Sequence, residues 1–144
     1  MKMTSYDNLL TIGEKYDTMG SPMTLGTLER LLMEVIWEHH DRGIFSVREL
    51  TQEINTCTPR PYAYNTILTV MTHLYEKKLL DRQKRGKTFY YSANVNKKNF
   101  LQAASQAIVD QFRQDYGDVA LVHFMTCLES IDPRLLEKAR KQSQ

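Results

Sequence analysis

Between Tyr62 and Leu74 the chain carries no charged residue, and its polar positions there are Asn65, Thr66, Thr69, Thr72 and His73. An asparagine amide can pair bidentately with an adenine edge. A threonine can touch a thymine methyl or a phosphate. A helix face turned only to solvent is usually rich in Glu, Lys and Arg. Threonine, β-branched, is a mediocre helix former. Directly downstream, Arg82, Lys84, Arg85 and Lys87 fall within six residues with no acid among them. From Lys77 to Lys98 there are eight Lys or Arg against one acid, Asp81, while the whole chain is only +2. A basic edge on an otherwise acidic molecule is the pattern of phosphate contact. The plainer readings are a partnerless polar helix and a solvated charge run. Each explains its own segment, but neither explains why the two adjoin.

Other chemistry finds little footing. His39, His40, His73 and His123 show no H-E-x-x-H spacing, and no nucleophile elbow, phosphate loop or dinucleotide fingerprint occurs. Cys57 and Cys127 are too few and too far apart for a disulfide scaffold or a four-thiolate metal site. They read as small buried hydrophobes in a reducing cytoplasmic setting. No catalytic residue, metal or cofactor is expected.

The elements that must position these side chains follow from periodicity. The chain has 144 residues, 42% hydrophobic and 25% charged, which suits one domain or a small domain with an appendage. No apolar run approaches the roughly 18 residues of a membrane helix. The polar start, Met1 to Asp7, argues against a secretory signal. Leu28, Leu31, Leu32, Val35 and Ile36 mark a first helix that stops near Gly43. Ser46 with Glu49 reads as a capping box for a short second helix bearing Val47, Leu50 and Ile54. A third helix spans about 62–78, with Ile67, Val70, Met71, Leu74 and Tyr75 inward. Runs 79–83 and 88–93 form strands joined by a turn at 84–87, where Gly86 can take a positive φ. Three more helices follow, separated at Gly117 and at Asp132-Pro133, an N-cap followed by a first-turn proline.

The fold expected is mainly α with a small β-hairpin: a winged helix-turn-helix followed by a helical dimerisation domain. The divisions are an N-terminal arm at 1–23, a DNA-binding domain at 24–95 and a dimerisation domain at 96–144. The last carries Phe100, Ala104, Ile108, Phe112, Leu121, Phe124, Met125 and Leu128, more apolar surface than so short a piece can bury alone. A second copy would cover it and set two recognition helices on successive turns of DNA.

Leu25-Gly26 with Leu28-Glu29 and Val35-Ile36-Trp37, then Tyr64 through Leu74 with Lys77-Lys78, then Phe89-Tyr90-Tyr91-Ser92 are three stretches that resemble the penicillinase repressors of the BlaI/MecI type. The likeness covers about 24–140. It implies a bacterial, cytoplasmic, homodimeric repressor on a palindromic double-stranded DNA operator. It implies base reading by Asn65, Thr66, Leu68 and Thr69; family members carry basic residues where Asn65 and Leu68 stand, so the operator differs. Thr72 and His73 join them from the face itself, and Arg82, Lys84, Arg85 and Lys87 take the phosphates. The family is often relieved by a membrane metalloprotease sensor that cuts the fourth helix. The matching bond is Ala107-Ile108, and the family's Asn-Phe pair is not there. The paired Cys-x-Cys motifs of the copper-responsive branch are absent. A winged helix gated directly by a small ligand, or used to dock a protein, would share the same element order.

Overall fold

The computed structural model describes residues 25–143, so the expected arm at 1–23 lies outside the described residues. Helix α1 (Thr27–Glu38) opens where the Glu29 carboxylate accepts the Gly26 N–H at 2.8 Å. Its expected stripe is buried from Leu31 onward, but Met33 and Glu34 are buried too. The stretch of α1 from Leu31 to Ile36 is therefore enclosed on every side. A buried carboxylate needs a partner, and Lys97 Nζ lies 2.7 Å from Glu34. A short 3-10 turn (His40–Arg42) ends at Gly43, whose φ is +78°.

Strand β1 (Phe45–Ser46) leads straight into α2 (Val47–Cys57). The capping box forms as expected. Ser46 Oγ accepts the Glu49 N–H at 3.2 Å, and Glu49 accepts the Ser46 N–H at 2.7 Å. Helix α3 (Tyr64–Glu76) is shorter at both ends than the periodicity predicts, and buries Ile67, Met71 and Leu74. Val70 is half-buried and Tyr75 exposed, so two residues of the expected inward stripe do not enter the core. The helix ends in a Schellman turn: Leu79 N–H donates to Leu74 O at 3.0 Å and Lys78 N–H to Tyr75 O at 2.9 Å. The left-handed position usually given to glycine is held by Lys78, at φ +64°.

Strands β2 (Leu80–Arg85) and β3 (Thr88–Ala93) pair antiparallel, and β1 joins on the far side of β3, giving the order β1-β3-β2. The Arg85↔Thr88 pair closes a two-residue turn. Lys84 and Arg85 thus belong to the strand and not to the expected four-residue turn. Gly86 at φ +64° supplies the positive φ that lets two residues match the strand twist.

The described residues divide into two compact units, with the boundary after Phe100 and not at 95/96. The start of α4 (Lys97–Tyr116) explains the difference. Trp37 Nε1 donates to Val95 O at 2.9 Å, and the Trp37 ring lies 5.3 Å from that of Phe100. These contacts, with Lys97 on Glu34, hold the first turn of α4 to α1.

In the second unit, Gly117 (φ +80°) separates α4 from α5 (Asp118–Ile131), and α6 (Arg134–Gln142) follows. Pro133 sits just before α6 with helical angles, while the Asp132 carboxylate accepts the Arg134 N–H at 2.9 Å. Pro133 therefore takes the N-cap position expected of Asp132, whose carboxylate accepts the first helical backbone N–H from one residue further out. Nothing in α5 or α6 is buried. The cysteines are not the buried hydrophobes expected: Cys57 is half-buried at the end of α2, and Cys127 is exposed on α5.

Candidate nucleic-acid interface

The entry to α3 is fixed by a side chain that the sequence patterns do not single out. Asn55 Nδ2 donates to Tyr62 O at 3.1 Å, and Tyr62 N–H donates to Asn55 Oδ1 at 2.7 Å. This bidentate pair ties the last turn of α2 to the residue two positions before α3. Thr58 Oγ1 lies 3.1 Å from both Ile54 O and Arg60 O, steadying the same loop. Arg60 is exposed there, a further cation at the mouth of α3.

The N-termini of the first three helices differ. Those of α1 and α2 are met by Glu29 and Glu49. That of α3 follows Ala63, with no side-chain cap and no acid in its first turn. Open backbone N–H groups at a helix start favour an anion.

On α3 itself, Asn65, Thr66, Thr69 and His73 are exposed, and Leu68 and Thr72 are half-buried. Thr69 Oγ1 donates to Asn65 O, and Thr72 Oγ1 to Leu68 O, both at 2.9 Å. Their hydroxyl protons are therefore committed to the helix. What remains for a partner is an oxygen lone pair and a methyl group from each. The Asn65 amide has no hydrogen-bond partner among the described residues.

The hairpin does not present its four cations on one surface. Pairing sets Lys84 opposite Phe89 and Arg82 opposite Tyr91, so these four share a face; Arg85 lies on the other with Gln83 and Tyr90. The Arg82 guanidinium sits 4.2 Å from the Tyr75 ring centroid and 4.4 Å from that of Phe89. Lys84 and Arg85 lie 5.6 and 5.7 Å from the Phe89 and Tyr90 rings. Lys87 occupies the exposed turn.

Two of the eight cations between 77 and 98 serve the fold. Lys77 Nζ meets Glu29 at 2.9 Å and Lys97 meets Glu34 at 2.7 Å. These α1 acids are thus internal partners, not an outward acidic face. Glu49 is held below the usual carboxylate range, chiefly by the Ser46 N–H, then by the Ser46 hydroxyl and the Arg42 charge, with partial burial opposing. Among the described residues no cluster of His, Cys, Asp or Glu could hold a metal ion. None of their helices is long and apolar enough to cross a membrane.

Of the residues expected to join two copies, Phe100 and Ala104 are already buried in one chain, Phe100 on Trp37 in the first unit. Ile108, Phe124 and Met125 are exposed, while Phe112, Leu121 and Leu128 are half-buried. Together with Val119, Val122 and Ile131, each over 60% exposed, they make an uncovered apolar face. A groove of about 540 Å³ between α4 and α5 is lined by Phe112, Tyr116, Val119, His123, Phe124 and Cys127. Ala107, half-buried, and Ile108 lie inside intact helix α4.

Comparison with known proteins follows the same lines. The profile of the penicillinase repressor family matches residues 25–142. A penicillinase repressor of Bacillus licheniformis is 26% identical over 94 residues, 65% of this chain and 70% of that one. Among solved structures, the DNA-binding domain of the repressor BlaI is similar, with 25% identity and a TM-score of 0.46 over 56% of this chain and 93% of that one. A possible transcriptional regulator for arsenical resistance matches with 22% identity and a TM-score of 0.40, covering 65% of this chain and 83% of that one.

Proposed function

This chain belongs to the penicillinase repressor family, and from that premise we propose a DNA-binding transcriptional repressor that acts in the cytoplasm as a homodimer on a palindromic operator. One observation carries the reading. From Tyr64 to Leu74 an exposed helix face free of charge adjoins, in the same compact unit, a hairpin bearing Arg82, Lys84, Arg85 and Lys87. Phosphate contacts position a protein on DNA, and base contacts specify the site. The hairpin cations, Arg60 and the open start of α3 take the first role. Asn65, Thr66, Leu68, Thr69, Thr72 and His73 take the second.

The chemistry of that face favours A·T pairs. The commonest guanine contact is a bidentate Arg or Lys, and α3 contains neither. Asn65 matches the N7 and N6 groups of adenine, and the methyls of Thr66 and Thr69 match that of thymine. The uncovered face of α4 and α5 seats the second copy, placing two α3 helices about 34–36 Å apart, one turn of DNA. Repression ends when that pairing is lost, through an inducer or a cut at Ala107-Ile108 by a membrane metalloprotease sensor.

The test compares the full chain with a fragment covering 25–104, which keeps Phe100 on Trp37. In sedimentation the full chain runs as a dimer and the fragment as a folded monomer. The fragment binds a two-fold-symmetric site, selected from a random duplex pool, weakly and without cooperativity. A monomeric full chain, or a fragment that binds as tightly as the full chain, sinks the dimeric reading. Failure to select any duplex sinks the DNA reading itself.

A further inference from the structure

Tyr75 and Phe89 are large aromatics that stay 37% and 39% exposed. They come from different elements, Tyr75 from the end of α3 and Phe89 from β3. The Arg82 guanidinium of β2 lies against both, at 4.2 and 4.4 Å from the ring centroids. A cation this close to an aromatic face is attracted by the ring quadrupole. The planar guanidinium offers its faces to rings and its N–H edge to oxygen anions. Here both rings lie close against the guanidinium, while its N–H groups meet no oxygen acceptor among the described residues. Lys84, beyond it on the same face, meets among the described residues only the Phe89 ring, at 5.6 Å.

We propose that Tyr75 and Phe89 are positioning residues that hold Arg82 as a pre-oriented ligand for a DNA phosphate and join the hairpin to the end of α3. This rests on the reading of the hairpin as a phosphate-contacting wing. A free arginine must give up its rotamer freedom when it binds. One already stacked has given it up on folding, so association loses less. The same stack fixes the reach of the wing relative to the helix that reads bases.

The test uses the full chain and a short duplex of mixed sequence, titrated by fluorescence anisotropy over a range of salt. Arg82→Ala should weaken binding and make the slope of log affinity against log salt shallower by about one. Tyr75→Ala should weaken binding about three- to tenfold with the slope unchanged, since the phosphate contact is still made but no longer prepared. Tyr75→Phe keeps the ring and should bind like the natural chain. Arg82→Lys keeps the charge and both rings, so it should hold the slope and lose affinity several-fold; it carries the test if Tyr75→Ala does not fold. The double variant Tyr75→Ala/Arg82→Ala should bind no more weakly than Arg82→Ala alone. Natural affinity in Tyr75→Ala or Arg82→Lys, loss in Tyr75→Phe, or losses that multiply in the double variant would overturn the proposal. If Arg85→Ala and Lys87→Ala flatten the slope and Arg82→Ala does not, the wing stands and this proposal alone falls. If none of the three changes the slope, the wing reading falls with it.

Discussion

Asn55→Ala removes the pair of hydrogen bonds that sets the approach to α3. The two bonds are 3.1 and 2.7 Å long and close on the backbone of one half-buried residue, Tyr62. Each such bond contributes about 0.5–1.5 kcal/mol net, so the loss should be about 1–3 kcal/mol. Asn55→Asp keeps an acceptor for the Tyr62 N–H but turns a second oxygen toward the Tyr62 carbonyl, and should do no better than alanine. The chain has a single tryptophan, Trp37, bonded to Val95 and packed on Phe100. Its emission during urea unfolding therefore reports on the unit that contains Asn55. With a urea slope of about 1–3 kcal/mol per molar, a loss near 2 kcal/mol moves the midpoint down by roughly 1 M. A shift corresponding to less than about 0.5 kcal/mol, the range of ordinary surface changes, would refute the claim that Asn55 sets this turn.

Asn65→Ala or Thr69→Ala should cost on the order of 1–3 kcal/mol on the selected site and much less on mixed DNA, whereas Arg85→Ala should weaken both alike and flatten the salt slope by about one; equal losses from all three, measured by titration, would erase the division of labour. Lys78→Gly relieves a left-handed non-glycine residue and should stabilise the first unit by about 0.5–1 kcal/mol in urea unfolding; no gain would mean that the Schellman turn holds Lys78 without strain. Glu49 is depressed in the folded state, so its contribution is full above the unfolded carboxylate pKa and fades as pH falls through the lower folded value. The stability gap between the natural chain and Glu49→Gln should accordingly be present at about pH 6 and narrow as the pH falls below the unfolded carboxylate value of about 4.3, and a gap that stays constant through that fall would contradict the capping role.

Local rules made much of this molecule legible. The Ser46–Glu49 box, the stops at Gly43 and Gly117 and the six helices follow from spacing and turn chemistry, because those signals act within one or two turns of chain. What escaped depends on distance along the sequence. Glu29, Glu34, Lys77 and Lys97 read as surface charge until the fold pairs them across 48 and 63 residues. Phe100 reads as part of a dimer stripe because periodicity reports which face is apolar but not what covers it. In fact Trp37 takes it. Arg82 and Arg85 looked equivalent in a basic run, and only strand register sends them to opposite faces. Asn55 carries no pattern at all, since an asparagine near a helix end is common and its partner lies in the backbone seven residues on.

The start of α4 bears on how such a repressor could be switched off. The first compact unit ends at Phe100, and Ala107-Ile108 lies beyond it in the same helix. A cut there spares every contact that holds the unit together, including Trp37 on Phe100 and Lys97 on Glu34. The severed module would stay folded, with its reading helix and wing intact. What it would lose is avidity, the advantage of about 10²–10⁴ that comes from tethering two readers to one another. If two copies pair on the operator as proposed, inactivation of this kind is a change of valence, leaving behind a competent reader too weak on its own to hold the operator.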